Sequence, residues 1–309
     1  MSSAADPLTA TSAPTPAIRP FLWTVRREIW EHRALWIAPL AVAGVVLFGF
    51  LFQLYHLSQL MIQADHLPPL PRSAAFAAPF AFAAVAIMMT GVVVSVSYCL
   101  SALNNERRDR SILFWKSLPV SDTTAVLAKA FVPFVVVPVI VTAAVAATQI
   151  LMLLLGFLDL TVFSKSAVAI WNNATLARLD LTMLYTLVTG VLWYAPIYGW
   201  LLMISSWARR AVFLWAVLPW LGLLILELIA LGTDHVGAFI AYRLIGGMQI
   251  GFNVQHYGNM NVKTMGVINP LNVIAARHFF LSPGLWLGLL AAAALIAAAV
   301  WFRRMRDPG

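Results

Sequence analysis

The sequence predicts an all-α, polytopic membrane protein with six transmembrane helices, and three observations carry that prediction. Of 309 residues, 61% are hydrophobic and 10% are charged, against about 45 to 50% and about 25% in a soluble domain. Six separate stretches reach the roughly 20 apolar residues that a helix needs to cross the hydrocarbon core. Lys and Arg lie unevenly about those stretches, 14 of the 20 on one side and 6 on the other. Positive charge near span ends is retained in the cytoplasm, so both termini are expected there, in a bacterial cytoplasmic (inner) membrane.

Residues 1–19 are rich in Ser, Ala, Thr and Pro without a long apolar core, which predicts a disordered tail and not a cleaved signal peptide. Residues 20–33, PFLWTVRREIWEHR, place Leu22, Val25 and Ile29 on one helical face with Arg26, Arg27 and Glu31 largely elsewhere, and Pro20 is well placed to start the helix. The expectation is an amphipathic interfacial helix against membrane lipid, with Trp23 and Trp30 at headgroup level. Residues 34–302 then form a single transmembrane domain, with a cytoplasmic tail over 303–309.

The spans run from Leu35 to Tyr55, Phe76 to Ser101, Ala125 to Leu155, Leu181 to Ser206, Val212 to Gly232 and Gly284 to Phe302. The third is long enough to tilt or to begin below the membrane surface, and Pro133 and Pro138 are expected to bend it. Pro79, Pro196 and Pro219 are placed to kink their helices. In the last span Gly284, Gly288 and Ala292 recur every four residues, which lets another helix approach closely.

Residues 104–122, NNERRDRSILFWKSLPVSD, break the apolar pattern: five charges fill positions 106 to 110 and the apolar run Ile112 to Trp115 follows almost at once. Ser111 to Leu118 is too short to cross a bilayer and should lie at its surface, while Ser121 and Asp122 make a helix start. One reading is a positive-inside anchor with interfacial aromatics. The other is a docking helix that receives force from a cytoplasmic partner, since an anionic lipid surface would favour bases alone and Glu106 and Asp109 are interleaved with Arg107, Arg108 and Arg110.

The cluster Glu106, Arg107, Arg108 and Asp109, then SILFWKSLPVS and a long third span, resembles the membrane permease subunits of type 2 ATP-binding-cassette (ABC) transporters, with the order of elements matching from about residue 20 to 302. The resemblance implies that 104–118 is the coupling helix seated on a separate ATPase subunit, with Glu106, Arg107, Arg108, Asp109, Phe114 and Trp115 as contacts. It also implies that the helix carrying Trp23, Arg26, Arg27 and Trp30 is the connecting helix, and that short outer helices within the loop 233–283 close the outer mouth. A second permease subunit, identical or related, is implied as partner. The run PLNVIAARHFF can form one such helix, with Asn269 capping and Pro270 first.

Several functions are excluded or weakened by the residues themselves. A phosphate-binding loop needs G-x-x-x-x-G-K-[ST]; the nearest approach, GNMNVKT at 258–264, has Val262 in place of the second Gly. The chain is therefore expected not to be an enzyme and to bind no cofactor, with ATP and Mg held by the partner ATPase. The net charge of +8 sits beside apolar runs, which reads as topology and not as nucleic-acid binding. The single Cys99 allows no internal disulfide, and the scattered histidines make no metal motif. Glu227 is the one acid well inside a span and is the candidate for a substrate or proton path. The expected function is that of a transport permease driven by a separate ATPase, with export implied by the resemblance. An ion-coupled secondary transporter, or a non-transporting assembly or sensor protein with permease architecture, are the alternatives.

Overall fold

The computed structural model describes residues 18–64, 69–108, 121–163, 173–252 and 274–305, and every regular element among them is helical. Six helices are long and apolar enough to cross a membrane: Ala34–Leu54, Ala78–Glu106, Asp122–Gly156, Ala177–Trp207, Val212–Ala230 and Pro283–Met305. The chain is thus an integral membrane protein by fold, with span boundaries within a few residues of those read from the sequence. The docking run with Asp109, Phe114 and Trp115, most of the N-terminal tail, Asn269 with Pro270 and the last four residues lie outside the described residues.

In chain order the helices are α1 (Ile18–Glu31), α2 (Ala34–Ala64), α3 (Pro69–Ser101), α4 (Asn104–Arg108), α5 (Asp122–Phe131), α6 (Val137–Phe163), α7 (Asn173–Trp207), α8 (Val212–Ala230), α9 (His235–Gly251), α10 (Ala276–Leu281) and α11 (Pro283–Met305). Spans two to four, formed by α3, α5 with α6, and α7, enclose a core that includes Ile87, Tyr98, Val132, Val141 and Leu202. The first span packs on α3 and α6, the sixth packs chiefly on α7, and the fifth is the most peripheral, with 17% of its residues buried. Its exposed leucines and aromatics are what lipid contact requires of a span.

The α7–α11 packing depends on missing side chains. A Cβ at Gly199 would stand 3.2 Å from the Ala292 carbonyl oxygen and 3.3 Å from its Cα, and backbone cannot give way as a flexible side chain would. The small-residue stripe of the sixth span is therefore occupied within this subunit: Ala292 meets Gly199, while Gly284 and Gly288 face Tyr242 and Arg243.

The third span is continuous but irregular. Between α5 and α6, Val132–Val136 form a π-turn, closed by the Val137 N–H on the Val132 carbonyl. Pro133 and Pro138 lack N–H groups, and a proline ring crowds the carbonyl four residues earlier, so the helix widens there instead of snapping. The expected bend is thus a local change of helix type. Below it, the Ser121 hydroxyl accepts the Thr124 N–H at 3.1 Å and caps α5.

A bulky residue at position 199 should separate spans four and six. Gly199→Leu is expected to lower the melting temperature in detergent by the equivalent of about 1 to 3 kcal/mol. Gly222→Ala, where a Cβ would meet nothing within 4 Å, should leave it essentially unchanged.

Candidate functional site

Among the described residues a cluster of charges lies inside the protein, at the end of the bundle where α1 and α11 both pack on α5. Glu28 on α1 is fully buried, Lys129 on α5 is 1% exposed and Arg303 on α11 is 5% exposed. Charges removed from water persist only when paired and hydrogen-bonded, and here they pair with one another across four elements.

Lys129 Nζ donates to Glu28 Oε1 at 2.8 Å and approaches Glu106 Oε1 at 3.1 Å. Arg27 Nη2 donates to Glu106 Oε1 at 2.7 Å and Glu28 Oε1 at 2.9 Å, and its Nε lies 3.2 Å from Glu31. Arg303 Nη1 donates to Glu106 Oε2 at 2.7 Å, while its Nε donates to Asp122 Oδ1 at 3.0 Å. The Tyr98 hydroxyl from α3 completes the set, donating to Glu28 Oε2 at 2.8 Å. Both oxygens of Glu106 thus receive cations, and those cations come from α1, α5 and α11.

Backbone geometry puts Glu106 at that junction. The second span breaks at residues 102–103, and Ser205 of span four mends the break: its hydroxyl accepts the N–H groups of Leu103 and Asn104, both at 3.1 Å, and donates to the Leu100 carbonyl at 2.9 Å. Without a partner those amides would be buried and unsatisfied. The short helix α4 therefore starts at a fixed point and turns Glu106 inward.

On α1, burial works against the Arg27 charge, but Glu28, Glu31 and Glu106 hold its pKa above the usual guanidinium value. Burial pushes the pKa of the His32 imidazole, which stands edge-on to Tyr98, down, opposed by Glu28.

The N-terminal segment is helical, as α1, and the face it turns inward is not the Leu22, Val25 and Ile29 face read from the sequence. Val25 and Glu28 are buried, whereas Leu22, Trp23 and Trp30 are 57%, 66% and 70% exposed. Arg26 is exposed beside Trp23, with its Cζ 5.6 Å from the ring. Arg27, expected on the polar side of the helix away from Leu22, Val25 and Ile29, is instead largely covered. The ion pair at Glu28 sets the rotation of the helix, and an apolar-face reading cannot register a carboxylate that points inward because its cation comes from 101 residues away.

Glu106, expected as a surface contact for a partner, is 7% exposed and engaged as described. Arg107 and Arg108 belong to α4 beside it, while Asp109, Phe114 and Trp115 are outside the described residues. Glu227 sits near the C-terminal end of α8 and caps the next helix: it accepts the Thr233 hydroxyl at 2.7 Å, the His235 N–H at 2.7 Å and the Val236 N–H at 2.6 Å. Those bonds account for an acid near the end of an apolar span.

A second feature lies deeper. A partly open cavity of about 110 Å³ is lined by spans two, three and four and by α9, with Pro133 and Pro138 of the irregular third span in its wall. Its lining is mostly apolar, with hydroxyls from Ser95, Thr186, Thr189, Tyr194 and Tyr198. Helix α9 lies within the segment 233–283, where short helices were expected, and it packs along span four, with Tyr194 donating to the Leu244 carbonyl at 2.8 Å and Tyr185 to the Gly251 carbonyl at 3.1 Å.

No group of three or more potential metal ligands occurs among the described residues. No family model, curated protein or solved structure matches the chain. The fold and the charge cluster define an integral membrane protein whose second, third and sixth spans and N-terminal helix are joined ionically at one end.

Sequence reasoning missed Lys129 as a site residue, counting it only toward topology. Its signal was a lysine within the otherwise apolar run AVLAKAFV. Lys129→Ala leaves two buried carboxylates short of a cation and is expected to cost about 3 to 5 kcal/mol. The double variant Glu28→Met with Lys129→Met removes the pair together and should recover most of that loss, read as detergent melting temperatures of the single and double variants.

Proposed function

We propose that the protein is the permease subunit of an ATP-driven transporter of the ABC type, engaging a separate ATPase through residues 104–122, with export the direction that the resemblance favours. The observation that carries this reading is Glu106. It begins the charged stretch of the loop, and its carboxylate is bonded to Arg27, Lys129 and Arg303 on three other elements.

A push on the loop would be delivered through Glu106 to α1, to the base of the third span and to the end of the sixth. Lys129 stands one turn before the π-turn at Val132–Val136, the least regular part of the third span and part of the cavity wall. In this mechanism Glu106 is a positioning residue, while direct contact with the ATPase falls to Arg107, Arg108, Asp109, Phe114 and Trp115. The wall that would move is the one carrying Pro133 and Pro138.

The test is a mild-detergent pull-down of the tagged chain from its native cells, beside a variant carrying Arg108→Ala and Trp115→Ala with Glu106 left in place. Peptides of a Walker-motif ATPase are expected with the native chain and at least about tenfold fewer with the variant, provided that it elutes as the same monodisperse species. If no ATPase appears even after crosslinking, the reading fails and the loop is a membrane-surface anchor.

A further inference from the structure

Arg243 is a cation in an unusual position. It lies on α9 in the largely apolar run AFIAYRLIGG, and its Cζ is 4.9 Å from the centroid of the Trp193 indole, a side chain that is 1% exposed. Trp193 precedes the end of the fourth span at Trp207 by about 21 Å of helix, at 1.5 Å per residue. That depth is inside a hydrocarbon layer about 30 Å thick. A charge there is expensive and is ordinarily paired.

Arg243 has no carboxylate partner among the described residues. Its Nη2 donates to the Gly284 carbonyl at 3.1 Å, and its Nη1 is buried with no hydrogen-bond partner. The surroundings are nevertheless shaped to it. A Cβ at Gly288 would collide with the guanidinium, and one at Gly247 would stand 2.6 Å from the indole. Trp193 is further fixed by its own N–H, which donates to the Arg243 carbonyl at 2.9 Å.

The same indole, with Gly247 and Met248 on the next turn of α9, forms part of the wall of the apolar cavity. A half-buried guanidinium whose covered Nη1 has no partner, stacked on an aromatic ring, is suited to a planar or tetrahedral oxyanion. The adjoining apolar space is suited to a hydrocarbon chain. We propose that Arg243 and Trp193 bind the oxyanion group, phosphate or carboxylate, of an amphiphile whose apolar part occupies the cavity. This assignment stands on the contacts of Arg243 and is independent of an ATPase partner.

The experiment uses the purified full chain in nanodiscs of phosphatidylcholine with and without phosphatidic acid, with lipid retained on the released protein counted by native mass spectrometry. A parallel arm titrates inorganic phosphate and follows thermal unfolding. The native protein and Arg243→Lys are expected to retain phosphatidic acid in preference to phosphatidylcholine. Arg243→Gln should retain at least about tenfold less, because the buried N–H donors to the anion are lost with the charge. Gly247→Ala, which presses on the indole and leaves Arg243 in place, is a second variant expected to weaken retention even if the Gln variant fails to fold.

Stabilisation by inorganic phosphate that depends on Arg243, without selective lipid retention, would support the oxyanion seat and place its source in solution, overturning the amphiphile. Equal retention of phosphatidic acid by the native protein and by both the Gln and Ala variants, with no phosphate effect dependent on Arg243, would overturn the proposal entirely.

Discussion

Pairing of charges away from water is the constraint on which the rest of the structure depends. Neither Glu28 nor Lys129 could be placed inside the bundle alone without a desolvation penalty of several kcal/mol. Together, and with Arg27, Glu106, Arg303 and Tyr98 around them, every principal charge has an opposite at hydrogen-bond distance. The rotation of α1, the inward turn of α4 and the position of the end of α11 follow from satisfying that set. Ser205 has a similar role for the backbone, since it takes up the amides freed where the second span breaks.

The cluster also defines how motion could pass through the molecule. Helices packed only through apolar side chains in lipid have little to oppose sliding, since lipid tails are as apolar as the side chains they would replace. A buried ionic junction is different, because separating its members exposes uncompensated charge. The four elements that share it are therefore expected to move as one piece. The third span can yield just beyond that junction, where two prolines have already replaced regular hydrogen bonding with a π-turn. Under the proposed function, a rigid base below a yielding segment is what would convert a displacement of the loop into a change in the cavity wall.

What the sequence disclosed follows from how local each signal is. The spans were legible because hydrophobicity over about 20 residues needs no knowledge of partners, and Ser121 was legible as a helix start because capping is decided within four residues. Glu28 was not, since it reads as one more polar position on an amphipathic helix until Lys129 is brought to it from 101 residues away. Glu227 was visible as an anomaly, but its explanation lay in α9, whose N-terminal amides it accepts. Arg243 and Trp193 likewise stand 50 residues apart, and a lone arginine in an apolar run was counted for topology when it also marked a site. Small residues in the sixth span were correctly read as permitting close approach, but not which helix would use the space.

Hydrogen–deuterium exchange of the native chain and of Glu106→Gln in nanodiscs tests the central claim most directly, that the loop is tied to the third span through Glu106. The account predicts that neutralising this one carboxylate accelerates exchange in peptides covering residues 122–137, the base of the third span and its π-turn, as well as in α1 and α4. Acceleration confined to α4, with residues 122–137 unchanged, would show that the cluster does not link the loop to the span and would contradict the account.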